Sequence, residues 1–116
     1  MFMYVKYIGG KKYKFLTKDK IYKVLQKVEN YYFSIIDDQN IETIFEQEYF
    51  RIFPVLKVKY IGVDTFSLRQ NKIYEVISIE TGFNKNDSYR IIDETEGDYL
   101  FNSKLFETIE DNSEYL

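Results

Sequence analysis

Two pairs of adjacent carboxylates, Asp37-Asp38 and Asp93-Glu94, are the residues of this sequence best suited to acid–base or metal chemistry. No histidine or cysteine accompanies them. That removes the commonest general base, the thiolate nucleophile and the usual zinc ligands. Neither pair has the dense acidic spacing of a calcium loop, and no glycine-rich phosphate loop occurs. We therefore expect no enzymatic activity, no catalytic residue, no cofactor and no metal. Each pair ends one apolar run and precedes another, so turn formation is the expected task, with the side chains bonding to their own backbone.

A second set of residues carries binding chemistry. Lys11, Lys12, Lys14 and Lys18 alternate with Tyr13 and Phe15, with Lys20 just beyond. A single-stranded nucleic-acid surface uses this combination, aromatic rings stacking on bases while cations follow phosphates. Tyr31 and Tyr32 adjoin, and strand alternation would turn one of them outward. With Tyr49 they complete a candidate binding set of Lys11, Lys12, Tyr13, Lys14, Phe15, Lys18, Tyr31, Tyr32 and Tyr49. The net charge is −3, arginine is scarce, and residues before Pro54 carry about +2 against about −5 from Pro54 onward. This balance ranks a protein partner ahead of nucleic acid. Tyrosine suits such a partner, because it covers a large area and keeps a hydroxyl for a hydrogen bond. The acidic residues of the second half are read as a loop and a short solubilising C-terminal tail that includes Glu107, Glu110, Asp111 and Glu114.

The elements that must position these residues are written twice. Val5-Lys6-Tyr7-Ile8-Gly9 recurs as Val58-Lys59-Tyr60-Ile61-Gly62, and Lys20-Ile21-Tyr22 as Lys72-Ile73-Tyr74. Ile35-Ile36-Asp37-Asp38 matches Ile91-Ile92-Asp93-Glu94, and Phe45 and Phe50 match Phe101 and Phe106. A repeat of this length makes each copy one structural unit. The boundaries fall at 1–53 and 54–116. Insertions fall where turn residues cluster, notably in Thr81-Gly82-Phe83-Asn84-Lys85-Asn86-Asp87, which leaves the apolar runs intact.

Period-two alternation and β-branched or aromatic enrichment predict strands over 5–8, 20–29, 31–36, 41–46 and 50–53. Gln47-Glu48-Tyr49 has room only for one 3₁₀ turn. In the second copy the strands are 56–61, 72–80, 88–93, 98–101 and 106–109. Gly97 is expected at the left-handed position of its turn. Ile41 stands in the aligned place of copy one, so that turn is expected to differ in type. Pro54, the sole proline, leaves no length for a flexible linker, and a fixed mutual pose is expected. The expected cores are Val5, Tyr7, Tyr22, Val24, Ile35 and Phe50, and their counterparts Val58, Tyr60, Tyr74, Val76, Ile91 and Phe106.

Five short strands, a long first loop, a tight turn between the third and fourth strands and a one-turn helix before the fifth form the layout of an SH3-like barrel. Lys72-Ile73-Tyr74-Glu75-Val76, Tyr89-Arg90-Ile91-Ile92-Asp93 and Asp98-Tyr99-Leu100-Phe101 resemble small SH3-like repeats of low-GC Gram-positive bacteria and their phages. The resemblance implies an all-β fold of two tandem SH3-like five-stranded barrels related by internal duplication. Proline-peptide-binding SH3 domains usually add a Trp to their aromatic groove, and this chain has none. Tudor-type barrels cage methylated lysine with aromatic rings, but a tyrosine-rich chain also needs tyrosine for its barrel walls. The N-terminal residues lack the pattern of a signal peptide, and no run approaches the ~20 apolar residues of a membrane helix. A cytoplasmic, monomeric or weakly dimeric binding module with an intracellular protein partner is the expectation.

Overall fold

The computed structural model describes residues 2–82 and 86–116. The chain is all-β and divides into two compact units, Phe2–Phe53 and Pro54–Leu116. Unit one contains β1 (Met3–Tyr7), β2 (Ile21–Val28), β3 (Tyr32–Ile36), β4 (Glu42–Glu46) and β5 (Phe50–Phe53). Its antiparallel sheet has the order β4-β3-β2-β1-β5. Unit two contains β6 (Leu56–Tyr60), β7 (Ile73–Thr81), β8 (Asp87–Ile92), β9 (Asp98–Asn102) and β10 (Phe106–Asp111). Its order, β10-β6-β7-β8-β9, is the same connectivity. Helix among the described residues is confined to single 3₁₀ turns, including Gln47–Tyr49 and its counterpart Ser103–Leu105.

Alternation explains the cores. Along β1, Val5 and Tyr7 point inward, and along β6 so do Leu56, Val58 and Tyr60. All twelve expected core residues are buried. Leu16, Phe33 and Phe45 join them in unit one, and Leu68 and Ile77 in unit two. Phe50 packs its ring against Tyr7, Phe33 and Phe45 with centroids 5.5, 5.9 and 6.3 Å away. Phe106 does the same with Tyr60 and Phe101 at 5.6 and 6.4 Å.

The correspondence between the two units extends to backbone detail. Each long second strand shifts register at the matching place, between Val24 and Gln26 and between Val76 and Ser78. Asp19 and Asn71 both have φ of 65°, and their N–H groups donate to the carbonyls of Tyr7 and Tyr60. The repeated Tyr-Ile-Gly has a steric cause. The rings of Tyr7 and Tyr60 lie so close under Gly9 and Gly62 that a Cβ at either glycine would come within 3 Å of ring atoms.

Three expectations are corrected. The left-handed residue of the β8–β9 turn is Glu96 (φ 67°), not Gly97, and its counterpart Asn40 (φ 65°) makes the β3–β4 turn the same type. The Asp side chains impose this shape: Asp37 Oδ1 accepts the N–H of Gln39 at 2.9 Å and Asp93 Oδ1 that of Thr95 at 2.8 Å. The acidic C-terminal residues are not a tail. Glu107, Glu110 and Asp111 lie on β10 against β6, where Glu110 and Glu107 meet Lys57 and Lys59 at 3.5 and 3.8 Å. Asn112, buried, then anchors the segment by donating its N–H to the Val55 carbonyl and Nδ2 to that of Pro54, each at 3.0 Å. Of the expected insertion, Phe83, Asn84 and Lys85 lie outside the described residues; its flanks are joined by Gly82 N–H donating to the Asn86 carbonyl at 2.8 Å.

Val24 and Val76 occupy equivalent places in the two cores. Val24→Ala and Val76→Ala should each lower stability by roughly 1–3 kcal/mol in urea unfolding. A loss below a few tenths would mean that the inward face of β2 or β7 is misassigned.

Candidate binding site

The carboxylate pairs divide their labour. Asp37 and Asp93 are buried and shape the turns described above. Asp38 and Glu94 instead hold the long first loop of each unit. Asp38 Oδ1 accepts the Tyr22 hydroxyl at 2.8 Å and Lys20 Nζ at 2.8 Å, while Oδ2 accepts the Thr17 hydroxyl at 2.6 Å. Tyr22 Oη also accepts the Thr17 N–H at 2.7 Å, and Lys20 Nζ lies 5.2 Å from the Tyr22 ring centroid. In unit two, Glu94 Oε1 accepts the Tyr74 hydroxyl at 2.8 Å and Lys72 Nζ at 2.6 Å, and Tyr74 Oη accepts the Arg69 N–H at 2.7 Å. The repeated Lys-Ile-Tyr phrase is thus a device for pinning a loop, and Lys20 is committed to it.

That loop places the candidate residues. Tyr7 Oη donates to the Gly10 carbonyl and accepts the Tyr13 N–H, each at 3.0 Å, which fixes the start of the lysine-rich segment. Tyr13 is half-buried at the margin of the core. Its ring meets Phe45 and Tyr49 edge-on at 4.9 and 5.5 Å, and its hydroxyl donates to Glu46 Oε1 at 3.0 Å. Burial, reinforced by the Glu46 carboxylate, pushes the Tyr13 hydroxyl up to about 12. Lys12 Nζ sits 5.3 Å from the Tyr49 centroid and 5.9 Å from that of Tyr13, a cation shared by two rings.

Tyr31 and Tyr32 both face outward, contrary to the expected alternation, because Tyr31 belongs to the turn and β3 starts only at Tyr32. Tyr31 is 70% exposed. Together with Asn30, Glu46, Gln47 and Glu48 they line an open depression of about 490 Å³. Gln47 fixes its wall: its N–H donates to the Tyr31 carbonyl at 2.8 Å, and its Nε2 to that of Tyr32 at 3.2 Å. The Tyr13–Glu46 bond therefore connects the Lys12-Tyr13-Tyr49 cluster to the Tyr31-Tyr32 depression. Phe15 stands elsewhere. Its carbonyl accepts the Asp38 N–H at 2.9 Å, and its exposed ring lies 5.5 Å from Lys14 Nζ. Lys11, Lys14 and Lys18 are exposed along the loop.

Of the nine candidates, Lys12, Tyr13, Tyr31, Tyr32 and Tyr49 thus form one aromatic side of unit one, and Glu46 and Glu48 belong there as well. No sequence signal marked those carboxylates: Glu46 is placed there by the register of β3 on β4, opposite Tyr32, and Glu48 by the 3₁₀ turn that follows. Neither a family model nor a curated protein matches the chain.

Lys20, with Thr17 and Tyr22, holds the Asp38 carboxyl down at about 2 from an ordinary 3.8. A carboxyl bound more tightly as its anion stabilises the fold fully above about pH 4 and loses that contribution as pH falls toward 2. Urea midpoints measured from pH 5 to pH 2 should therefore fall less steeply for Asp38→Asn than for the unaltered chain. Parallel curves would remove Asp38 from the acid response.

Proposed function

We propose that each unit is an SH3-like barrel and that the chain is a non-catalytic, cytoplasmic binding module for an intracellular protein. The observation that carries this reading is the aromatic side of unit one, where Tyr13 and Tyr49 are packed edge to face and Tyr31 and Tyr32 stand outward beside them. Tyrosines held by neighbours lose little freedom on binding and dominate protein interfaces out of proportion to their number. The carboxylate pairs, which offered the most promising acid–base chemistry, are occupied in turns and loop anchors.

Single-stranded nucleic acid is the second reading, carried by Lys11, Lys12, Lys14 and Lys18 beside Tyr13 and Phe15. It is disfavoured by the placement of Glu46 and Glu48 next to the outward tyrosines, where a phosphate backbone would meet like charge.

Capture from a cell lysate, with nuclease-treated controls, separates the two. A protein retained by the unaltered chain should be lost roughly tenfold or more with Tyr32→Ala, while surviving moderate salt. Tyr49→Ala should act in the same direction, with circular dichroism verifying that the fold persists. Retention of nucleic acid instead, falling steeply with salt and with alanine at the four lysines, would reverse the ranking.

A further inference from the structure

The duplication supplies an internal comparison for the depression. β3–β4 and β8–β9 pair in matching register, Tyr32 opposite Glu46 and Ser88 opposite Asn102. The 3₁₀ turns then align Gln47, Glu48 and Tyr49 with Ser103, Lys104 and Leu105. Unit two keeps the core, the buried-tyrosine anchors and the turn shapes. At the depression it replaces the outward Tyr31 and Tyr32 by Asp87 and Ser88, and the carboxylates Glu46 and Glu48 by Asn102 and Lys104. The tyrosine pair and the carboxylates at positions 46 and 48 are thus not required by the fold, because the same strand order and turns are built without them.

Among the six residues lining the depression, two are carboxylates, two are exposed tyrosines and none is basic. Glu46 is held in place through the Tyr13 hydroxyl. The neighbouring rings of Tyr13 and Tyr49 already carry the chain's own cation, Lys12. We infer that the depression between Tyr31, Tyr32, Glu46 and Glu48 seats a cationic side chain, arginine or lysine, of a partner protein segment. Aromatic faces and carboxylates together select a cation over a neutral or anionic group, the rings through their quadrupole and the carboxylates through charge. The inference rests on the reading of this side as a protein-binding surface and names the chemistry that it takes.

Titration of the full chain, followed through backbone amide shifts, tests it with short Gly/Ser peptides carrying one central arginine, lysine, citrulline or glutamate. The arginine and lysine peptides should move the amides of Tyr32, Glu46, Gln47 and Glu48 and leave Ser88, Asn102 and Ser103 unmoved. Affinity should fall about fivefold or more in the Glu46→Gln, Glu48→Gln double variant, since two charge contacts are removed together. The fold should persist in that variant, because the amide oxygen introduced by Glu46→Gln still accepts the Tyr13 hydroxyl. Binding should also weaken with added salt. Equal response to the citrulline peptide, shifts of similar size in unit two, or no shift at tens of millimolar would overturn the inference. Tighter binding of spermidine than of the arginine peptide would overturn its assignment to a protein segment. If the peptides fail while lysate capture still depends on Tyr32, only this inference falls and the protein-binding reading stands.

Discussion

Burying a phenol is favourable only if its hydroxyl finds a partner, because an unpaired hydroxyl in an apolar setting costs on the order of 1–3 kcal/mol. Each unit buries two such tyrosines, Tyr7 and Tyr22 in one and Tyr60 and Tyr74 in the other. Their hydroxyls reach the long first loop: Tyr7 engages Gly10 and Tyr13, Tyr22 engages Thr17, Tyr60 engages Val63 and Tyr74 engages Arg69. The need to satisfy four hydroxyls thereby ties two loops, otherwise rich in exposed polar residues, to the sheets beneath them. Glycine directly over Tyr7 and Tyr60 leaves the space for this arrangement.

The candidate site follows from what the loop of unit one is then made to carry. With its start fixed at Tyr13 N–H and its end at Tyr22, the ring of Tyr13 is delivered against Phe45 and Tyr49. Its hydroxyl reaches Glu46 on β4. In unit two the corresponding loop presents Val63 and Phe66 to solvent, 74% and 86% exposed, in place of lysines. One anchoring scheme thus supports two loops of opposite surface chemistry.

The strands, the short 3₁₀ turn and the core were legible in the sequence because the two copies check one another and alternation picks the face: Val24 and Val76 match and are buried, whereas the matching Ile36 and Ile92 lie one step past the inward Ile35 and Ile91 and are exposed. The role of Asp38 was not legible, since its partners Lys20 and Tyr22 lie 18 and 16 residues away and meet it only once the sheet has formed. Glu96 misled local reasoning for a different reason. Glycine is the residue that most readily adopts positive φ, yet the hydrogen bonds of Asp93 fix the turn one residue earlier and leave Gly97 outside that conformation. The aromatic members of the candidate site were recognisable from composition. The carboxylates among them depend on which residue of β4 faces Tyr32, a matter of register.

The charges along the last strands bear on how a chain with two similar halves avoids assembling them in the wrong combination. β5 and β10 both edge their sheets next to a strand spelled Val-Lys-Tyr, and both begin with Phe in the same register. The first charged pairs do not tell them apart, since Lys6 faces Arg51 and Lys59 faces Glu107, and exchange would only swap these partners. The backbones differ further along: β10 shifts register between Thr108 and Glu110, which seats Glu110 opposite Lys57 at 3.5 Å, whereas Tyr4, in the place of Lys57, faces Phe53 without a shift. Cross-strand pairs of these kinds are worth roughly 0.2–1 kcal/mol each. Because exchange would break both pairs, the shifted register of β10 acts as an address label during folding, when misassembly between similar units is the characteristic failure.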